Sequence, residues 1–575
     1  MGRRHQQAFV FVFGLVLFLV SACSDAESAD IRFIDQEGKS LVLETSQRGK
    51  SGLVRPGDSL VYKLKKSLNP GPNYVLALTY RVVLDNQKNT GGQAPAALFS
   101  LLKDPTKAEA SQIRWQLPLS GEFLGGPGMA SLLKVKYAIP MGSVSFSAIR
   151  VDYKKALKNE NSGVSIQLES MALEPLWFGF YYKDGAFSCS PFVSRTAGLV
   201  TIDVPDQFRG TGLWKLDLSA ASLASPVSLR IGSAGAGGFS VQAKTVPSLM
   251  AGSLPEIPFP LVAAVQDRLV EGASVVFSRF NLSPLPESPI PADPASILDY
   301  RQELWRHKDY EVFQWDRFPS ILIFDTRSYE VQDRLFKRLA FYVEKAGFRG
   351  RLAQDGEIAS LHGWNAHDYR SSDLADFFTT AEKTHFPLNR EEQELREILL
   401  AHGIIKAGSD GNPRVYTAGE GAIISISQES ADYLRRLFMD HEAFHGLFFI
   451  DPDFQAFALE RWTHLDPVAK KFLVAYFRNR GYDTADAYLM KNELMAYCLQ
   501  QGVAGAAPYF GKTLPERLAE YPQHLQSMPE KDAASGTWPA LAALFTAEAK
   551  AFSDYVSKRW GLEAGRVWNI TKRSL

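Results

Sequence analysis

Five consecutive residues, His441-Glu442-Ala443-Phe444-His445, have the types and spacing for metal-assisted hydrolysis. In a helix, positions i and i+4 lie on one face, one turn apart, so both imidazoles can reach a single zinc ion. The glutamate between them is then placed to polarise a water and take its proton. The surrounding sequence decides whether the histidines are ligands or ordinary core and capping residues.

Such a site needs a helix, and the sequence supplies one. Ser427-Gln428-Glu429 offers a capping residue and early acidic charge, and no Pro or Gly interrupts the run from 430 until Gly446. Leu434, Phe438, His441, His445 and Phe448 fall on one stripe, so the histidines continue the inward, apolar face. Arg435, Arg436 and Asp440 are expected on the solvated side. Residues 422–427 read as a short strand feeding this helix, a layout in which an extended peptide can lie along a sheet edge.

A catalytic zinc needs a third protein ligand and one position open to water. The candidates are Glu493, in the helix-prone run Lys491-Asn492-Glu493-Leu494-Met495-Ala496-Tyr497, and Asp451, six residues after His445. Taken together, H-E-x-x-H at 441–445 and N-E-x-x-A at 492–496 resemble the gluzincin metallopeptidases. The resemblance implies zinc held by His441, His445 and Glu493, with Glu442 as general base for peptide hydrolysis. Some gluzincins carry an acidic residue four places after the ligand glutamate to orient a histidine. Tyr497 stands there in this chain, which leaves that role unassigned. Asp451 would suit the H-E-x-x-H-x-x-G-x-x-H/D pattern of metzincin-like enzymes, but Phe448 occupies the glycine position. Asp451 therefore ranks below Glu493 and reads, with Pro452 and Asp453, as a turn. As hydrogen-bond donor to the transition state, Tyr488 is the first choice among Tyr488, Tyr482 and Tyr497, with His464 and His524 behind them. A tyrosine in such a position is more often a packing aromatic.

The N-terminus speaks to compartment. Gly2-Arg3-Arg4-His5 is basic, residues 8–20 are apolar but short for a spanning helix, and Val20-Ser21-Ala22-Cys23 follows. This resembles a bacterial lipoprotein signal peptide with its lipobox. The resemblance implies cleavage before Cys23, acylation of that cysteine, and a chain tethered by lipid. Ser24 at the next position favours the outer membrane of a bacterial envelope. Only Cys189 and Cys498 remain, in different expected domains, so no disulfide is expected. In a bacterial chain the sequons at Asn281 and Asn569 read as chance.

Charge excludes some partners. Lys plus Arg and Asp plus Glu each number 63, so nothing marks a nucleic-acid binder. With 46% hydrophobic and 12% aromatic residues the chain can bury sizeable cores. Nine of the ten histidines lie from His307 onward, which argues against a metal or acid–base site in the first 300 residues.

The expected architecture is multidomain: signal peptide 1–22, anchor linker 23–30, β-sandwich 31–175, second β-sandwich 176–281, Pro-rich linker 282–314, and an α/β-to-α zincin-like metallopeptidase domain 315–575. Alternating runs such as 74–84, 144–151 and 164–169 carry the β reading, and the modules look like jelly rolls able to serve as spacers or to bind a polymer or protein. Trp115 is either a sugar platform or core. After the linker come a buried-type strand at 320–325 and helices at 330–346, 373–384 and 390–402. A zinc peptidase acting on a peptide or protein is the leading reading. The competing ones are a surface-binding lipoprotein with a vestigial zincin domain and a zinc amidase acting on cell wall.

Overall fold

The computed structural model describes residues 32–574 apart from loop segments that fall mainly in the first half; from residue 288 onward it is continuous except for 409–414 and 569. Cys23, the expected signal peptide and anchor linker, Asn281 and Asn569 lie outside the described residues.

The first half is built of β-strands. Tyr74–Leu84 and Val164–Pro175 pair antiparallel along their lengths, with a register shift between Leu168 and Ser170. From Leu78 to Val82 buried and more open residues alternate, as a half-buried strand requires. A second sheet runs in the order Leu43–Thr45, Ser59–Leu68, Phe146–Tyr153, Ala97–Leu102, Ser111–Leu117. One apolar core joins the sheets, with Tyr62, Phe99 and Phe146 meeting Leu78, Tyr80 and Phe178. Trp115 packs edge-on to Phe192 at 5.4 Å and belongs to this interior.

The expected boundary at 175 is not a break. Only Leu176 separates Val164–Pro175 from Trp177–Lys183, and Ala186–Cys189 pairs in parallel with Leu133–Pro140. One eleven-stranded sheet therefore runs through both expected modules. The reason is pairing: a strand left at an edge exposes unpaired backbone groups, and the neighbouring strands take them up. A further six-stranded sheet includes Phe239–Ala243, which pairs antiparallel with the C-terminal strand Ile570–Ser574. Cys189 and Cys498 are buried free thiols.

The second half centres on a five-stranded mixed sheet ordered Ile290–Ala292, Tyr310–Trp315, Ile321–Thr326, Ala422–Ser427, His367–Arg370. The first two belong to the segment expected as linker. Its prolines fit folded structure instead: Pro291 lies in an edge strand, and Pro294 opens the helix Pro294–Leu298 behind the N-cap Asp293. Ile297 and Tyr300 enter the domain core.

Ile321–Thr326 and Ala422–Ser427 are buried at all positions and face two cores. Leu322, Phe324 and Ile423 meet the helices Tyr329–Val343, Ser371–Thr384 and Arg390–Ala401. Ile321, Ile323, Ile424 and Ile426 meet the helix Asp432–Ile450, which carries the H-E-x-x-H motif, and the helical lobe after it. The period of two in a strand produces this division. Ala422–Ser427 is thus an interior strand, and the edge beside the motif helix is His367–Arg370. Among the described residues, no helix is long and apolar enough to cross a membrane.

Two side chains expected in solvent are interior. Arg435 is 3% exposed and forms a bidentate pair with Asp325, both contacts 2.9 Å, while Gln428 Nε2 donates to the same carboxylate. Asp440, also 3% exposed, accepts the backbone N–H of Val567 at 2.9 Å. Arg436 is exposed as expected, whereas Asp325 and Val567 cover the helix at Arg435 and Asp440. Burial pushes the Asp325 carboxyl up in spite of Arg435, so the pair positions the helix more than it adds net stability. Arg435→Ala is therefore expected to cost about 3–5 kcal/mol in urea unfolding, because it strands a buried carboxylate. Asp325→Leu combined with Arg435→Met should recover most of that loss. A single-variant loss under roughly 1 kcal/mol would contradict the assignment.

Candidate metal centre

The motif helix begins at Asp432 behind Ala431, which makes no side-chain cap. The expected capping residue, Ser427, instead accepts the Glu429 N–H at 3.3 Å, while Glu429 accepts the Tyr329 N–H at 2.8 Å. From Met439 to Phe448 nearly every residue is buried. Opposite runs the helix Ala487–Leu499, started by Asp486, whose carboxylate accepts the Tyr488 N–H at 2.8 Å.

Between the helices three side chains converge. His441 Nε2 and His445 Nε2 are 3.1 Å apart. Glu493 reaches them with Oε2 at 3.8 Å from His441 Nε2 and Oε1 at 3.9 Å from His445 Nε2. Tetrahedral donors around zinc at about 2.0–2.1 Å stand roughly 3.3–3.4 Å from each other. The observed separations bracket that value.

Hydrogen bonding supports the fit. His441 Nδ1 meets Gln500 Oε1 at 2.9 Å, so Nδ1 carries the proton and the Nε2 lone pair faces the cluster. Glu493 is 3% exposed, and its Oε2 has no hydrogen-bond partner. Its carboxylate is also hydrogen-bonded by Tyr482. Two imidazole nitrogens and a carboxylate aimed at one point, away from water, make a donor set that a dication completes.

Burial also sets the protonation states. It pushes His441 down to about 4, partly opposed by Gln500, and pushes His445 well below the usual range, helped by His441. Both rings are therefore neutral, as ligands must be. Burial holds Glu493 well above the usual carboxylate range, reinforced by Glu344 and Glu442. Glu442 is raised in the same way, and its Oε2 has no partner.

Asp368, on the edge strand, also enters the site. Its carboxyl group is hydrogen-bonded to that of Glu442, and its Oδ2 lies 3.6 Å from His445 Nδ1. Asp368, Glu442 and His445 form a second convergent group. There the two acids spend oxygens on each other, so the first group is the better receptor for an ion. Sequence reasoning missed Asp368, because nothing in a four-residue strand says which helix it will cover. It missed Gln500 as well, although a position seven after Glu493 lies on the same helical face two turns on.

The remaining expected residues are placed as follows. Tyr488 lines the adjoining cleft, its ring under the Arg370 guanidinium at 4.1 Å and against Phe448 at 5.3 Å. Tyr482 stacks on Trp364 at 4.8 Å beside Glu493, and Tyr497 stands edge-on to His441 at 5.2 Å. His464 meets the Glu460 carbonyl, and His524 packs near Tyr521, neither in the cluster. Asp451 caps the next helix through Phe454 N at 2.8 Å and pairs with Arg559 at 2.6 Å. Cys498 lies in the apolar core.

No protein-family model matches the chain, and no curated protein matches it. Among solved structures, a crystal structure of tripeptidyl peptidase 2 overlaps 92% of this chain and 48% of its own at 9% identity. With a TM-score of 0.15 that overlap carries no argument about fold or activity.

A protonated Glu493 must lose its proton to hold a cation, so metal uptake should release protons and apparent affinity should rise with pH through the raised range of that carboxyl. Zinc titration calorimetry in two buffers of different ionisation enthalpy checks this, and a buffer-dependent heat from proton release, growing as pH falls, is expected. Identical heats in both buffers would contradict it.

Proposed function

We propose that the chain is a zinc-dependent peptidase of gluzincin type, tethered to a bacterial membrane by lipid on Cys23. The observation that carries this reading is the convergence of His441 Nε2, His445 Nε2 and the Glu493 carboxylate between two packed helices. A zinc ion held by those three groups would supply Lewis acidity and a more acidic water.

The rest of the chemistry belongs to the chain. Glu442 sits between the two histidines in a buried setting that strengthens it as a base, with Oε2 free to receive the proton of the attacking water. Handing that proton to the leaving amine completes peptide hydrolysis. Tyr488 is a neutral phenol beside the site, its hydroxyl raised by burial, and can donate without carrying charge, whereas Tyr482 gives its proton to the Glu493 carboxylate.

Substrate placement follows from the sheet. Within the five-stranded sheet, His367–Arg370 pairs on one side only, so an extended peptide can add there as a further strand. The cleft beside it holds about 150 Å³ and is lined by Glu344, Asp368, Arg370, Asp373, Tyr488 and Asn492. The β-sheets before the domain are jelly-roll-like modules in this reading, acting as spacers from the membrane or binding a polymer or protein.

Elemental analysis and peptide assays on matched variants test the proposal. Glu442→Gln should keep one zinc per chain while hydrolysis falls about 10²–10⁴-fold. Glu493→Ala should lose the metal, and Asp451→Ala should keep both metal and activity. A folded wild type that takes up no zinc would sink the reading. Zinc uptake without cleavage of proteins, peptides or peptidoglycan fragments would leave a binding lipoprotein.

A further inference from the structure

We infer that Arg370 selects substrates that bring a carboxylate into the cleft beside the metal centre, an inference that deepens the peptidase reading above and rests on it. The cleft holds about 150 Å³, with Asp368 and Arg370 both on its wall. A cavity of roughly that size admits one benzene-sized group, so it has room for one side chain or one chain end. Strand alternation sets the address. Asp368 and Arg370 stand two apart in the edge strand, opposite Ile424 and Ala422, and share a face of the sheet. Asp368 is hydrogen-bonded to Glu442, so Arg370 lies one strand repeat along from the general base. An extended peptide added at this edge repeats its side chains at the same interval.

The donors of Arg370 are only partly used. Its Nε donates to both oxygens of Asp373, at 3.0 and 2.9 Å. The Tyr488 hydroxyl takes a further hydrogen bond, and the Tyr488 ring lies under the guanidinium at 4.1 Å. One edge and one face of the plane are thereby fixed. The backbone fixes the root of the side chain as well, since Arg370 ends the strand and is the N-cap residue of Ser371–Thr384. The terminal nitrogens carry the other N–H groups, and no carboxylate among the described residues accepts a hydrogen bond from them. The side chain is 33% exposed and lines the cleft. The acids around it already have partners. Arg349 pairs with Asp486 at 2.6 Å, Tyr342 donates to Asp376 at 2.6 Å, Trp364 donates to Glu344 at 2.7 Å, and Asp368 is bonded to Glu442. A planar fork held on two sides, with its outer donors unspent, matches a carboxylate, which takes two parallel N–H groups at once. Two sources bring that group: the C-terminal carboxylate of a peptide cut near its end, and the side chain of an aspartate or glutamate beside the scissile bond.

N-blocked peptides of one neutral sequence test this on the full folded chain: a free acid, the matching C-terminal amide, and amides with glutamate or lysine beside the cleaved bond. Wild type is expected to favour the free acid, the glutamate amide or both over the neutral amide by about 10- to 100-fold in kcat/KM, the worth of a charge-assisted pair. A gain for the free acid alone identifies the chain end as the source, and a gain for the glutamate amide identifies the side chain. In Arg370→Gln that ratio should fall to near one. Should this variant not fold, Arg370→Met combined with Asp373→Asn, which strands no buried charge, decides by the same ratio. Calorimetric binding of the peptides to Glu442→Gln reads the same preference without turnover. Equal treatment of all the peptides by wild type, a preference for the lysine amide, or a ratio that survives the loss of Arg370 overturns the inference while the peptidase reading stands. If wild type cleaves nothing, the peptidase reading has failed, and the binding ratio alone decides this one.

Discussion

At Gly446 the motif helix comes so close to the sheet that a Cβ would stand 3.1 Å from Ile321 Cδ1 and 3.3 Å from its Cγ2. The rest of the site depends on that approach. One helical turn earlier, His441 and Glu442 leave the same backbone, and Arg435 reaches Asp325 on the very strand that Gly446 touches. Asp440 holds the far side through Val567. A helix fixed by close packing on one face and by hydrogen bonds on two others has no freedom to turn about its axis. The imidazoles are therefore presented in one direction only, before any ion arrives.

That rigidity is purchased against electrostatics. His441, Glu442, His445 and Glu493 lie together in the interior, with Asp368 beside them and Glu344 nearby, itself raised to about 7 by burial and bonded to Trp364 Nε1 at 2.7 Å. Packing so many ionisable groups away from water opposes folding unless protons or a cation neutralise them. Elsewhere in the domain Arg338 and Glu392 form a matched buried pair at 2.8 Å. The contrast marks the cluster as a place where local stability has been given up for chemistry.

Much of this was legible in the sequence, and the parts that were not share a cause. Short-range periodicity gave Tyr74–Leu84, Ala422–Ser427 and the motif helix, because a period of 2 or 3.6 is a property of neighbouring residues. The spacing within 441–445 and within 492–496 brought the ligand candidates forward for the same reason. What failed was long-range. Arg435 and Asp440 look like surface charges until Asp325 and Val567 arrive from 110 and 127 residues away. The prolines of 289–294 read as a spacer, since a strand register with Tyr310–Trp315 leaves no local trace. Asp368 is the clearest case: its place at the site is set by sheet order, which a single sequence does not encode in any nearby pattern.

The last strand of the chain, Ile570–Ser574, lies against Phe239–Ala243, while the domain's first strand, Ile290–Ala292, follows closely on Ser274–Phe280 of the large β-sheet. The α/β domain is thus attached to the β-rich half at its entry and again at its exit. One attachment would act as a swivel, whereas two define an axis and remove most rotations about it. A pull transmitted along the chain would load the sheet hydrogen bonds of the closing strand in shear. The orientation of the cleft relative to the β-rich half is then carried by backbone pairing and does not rest on the stiffness of a proline-rich connector.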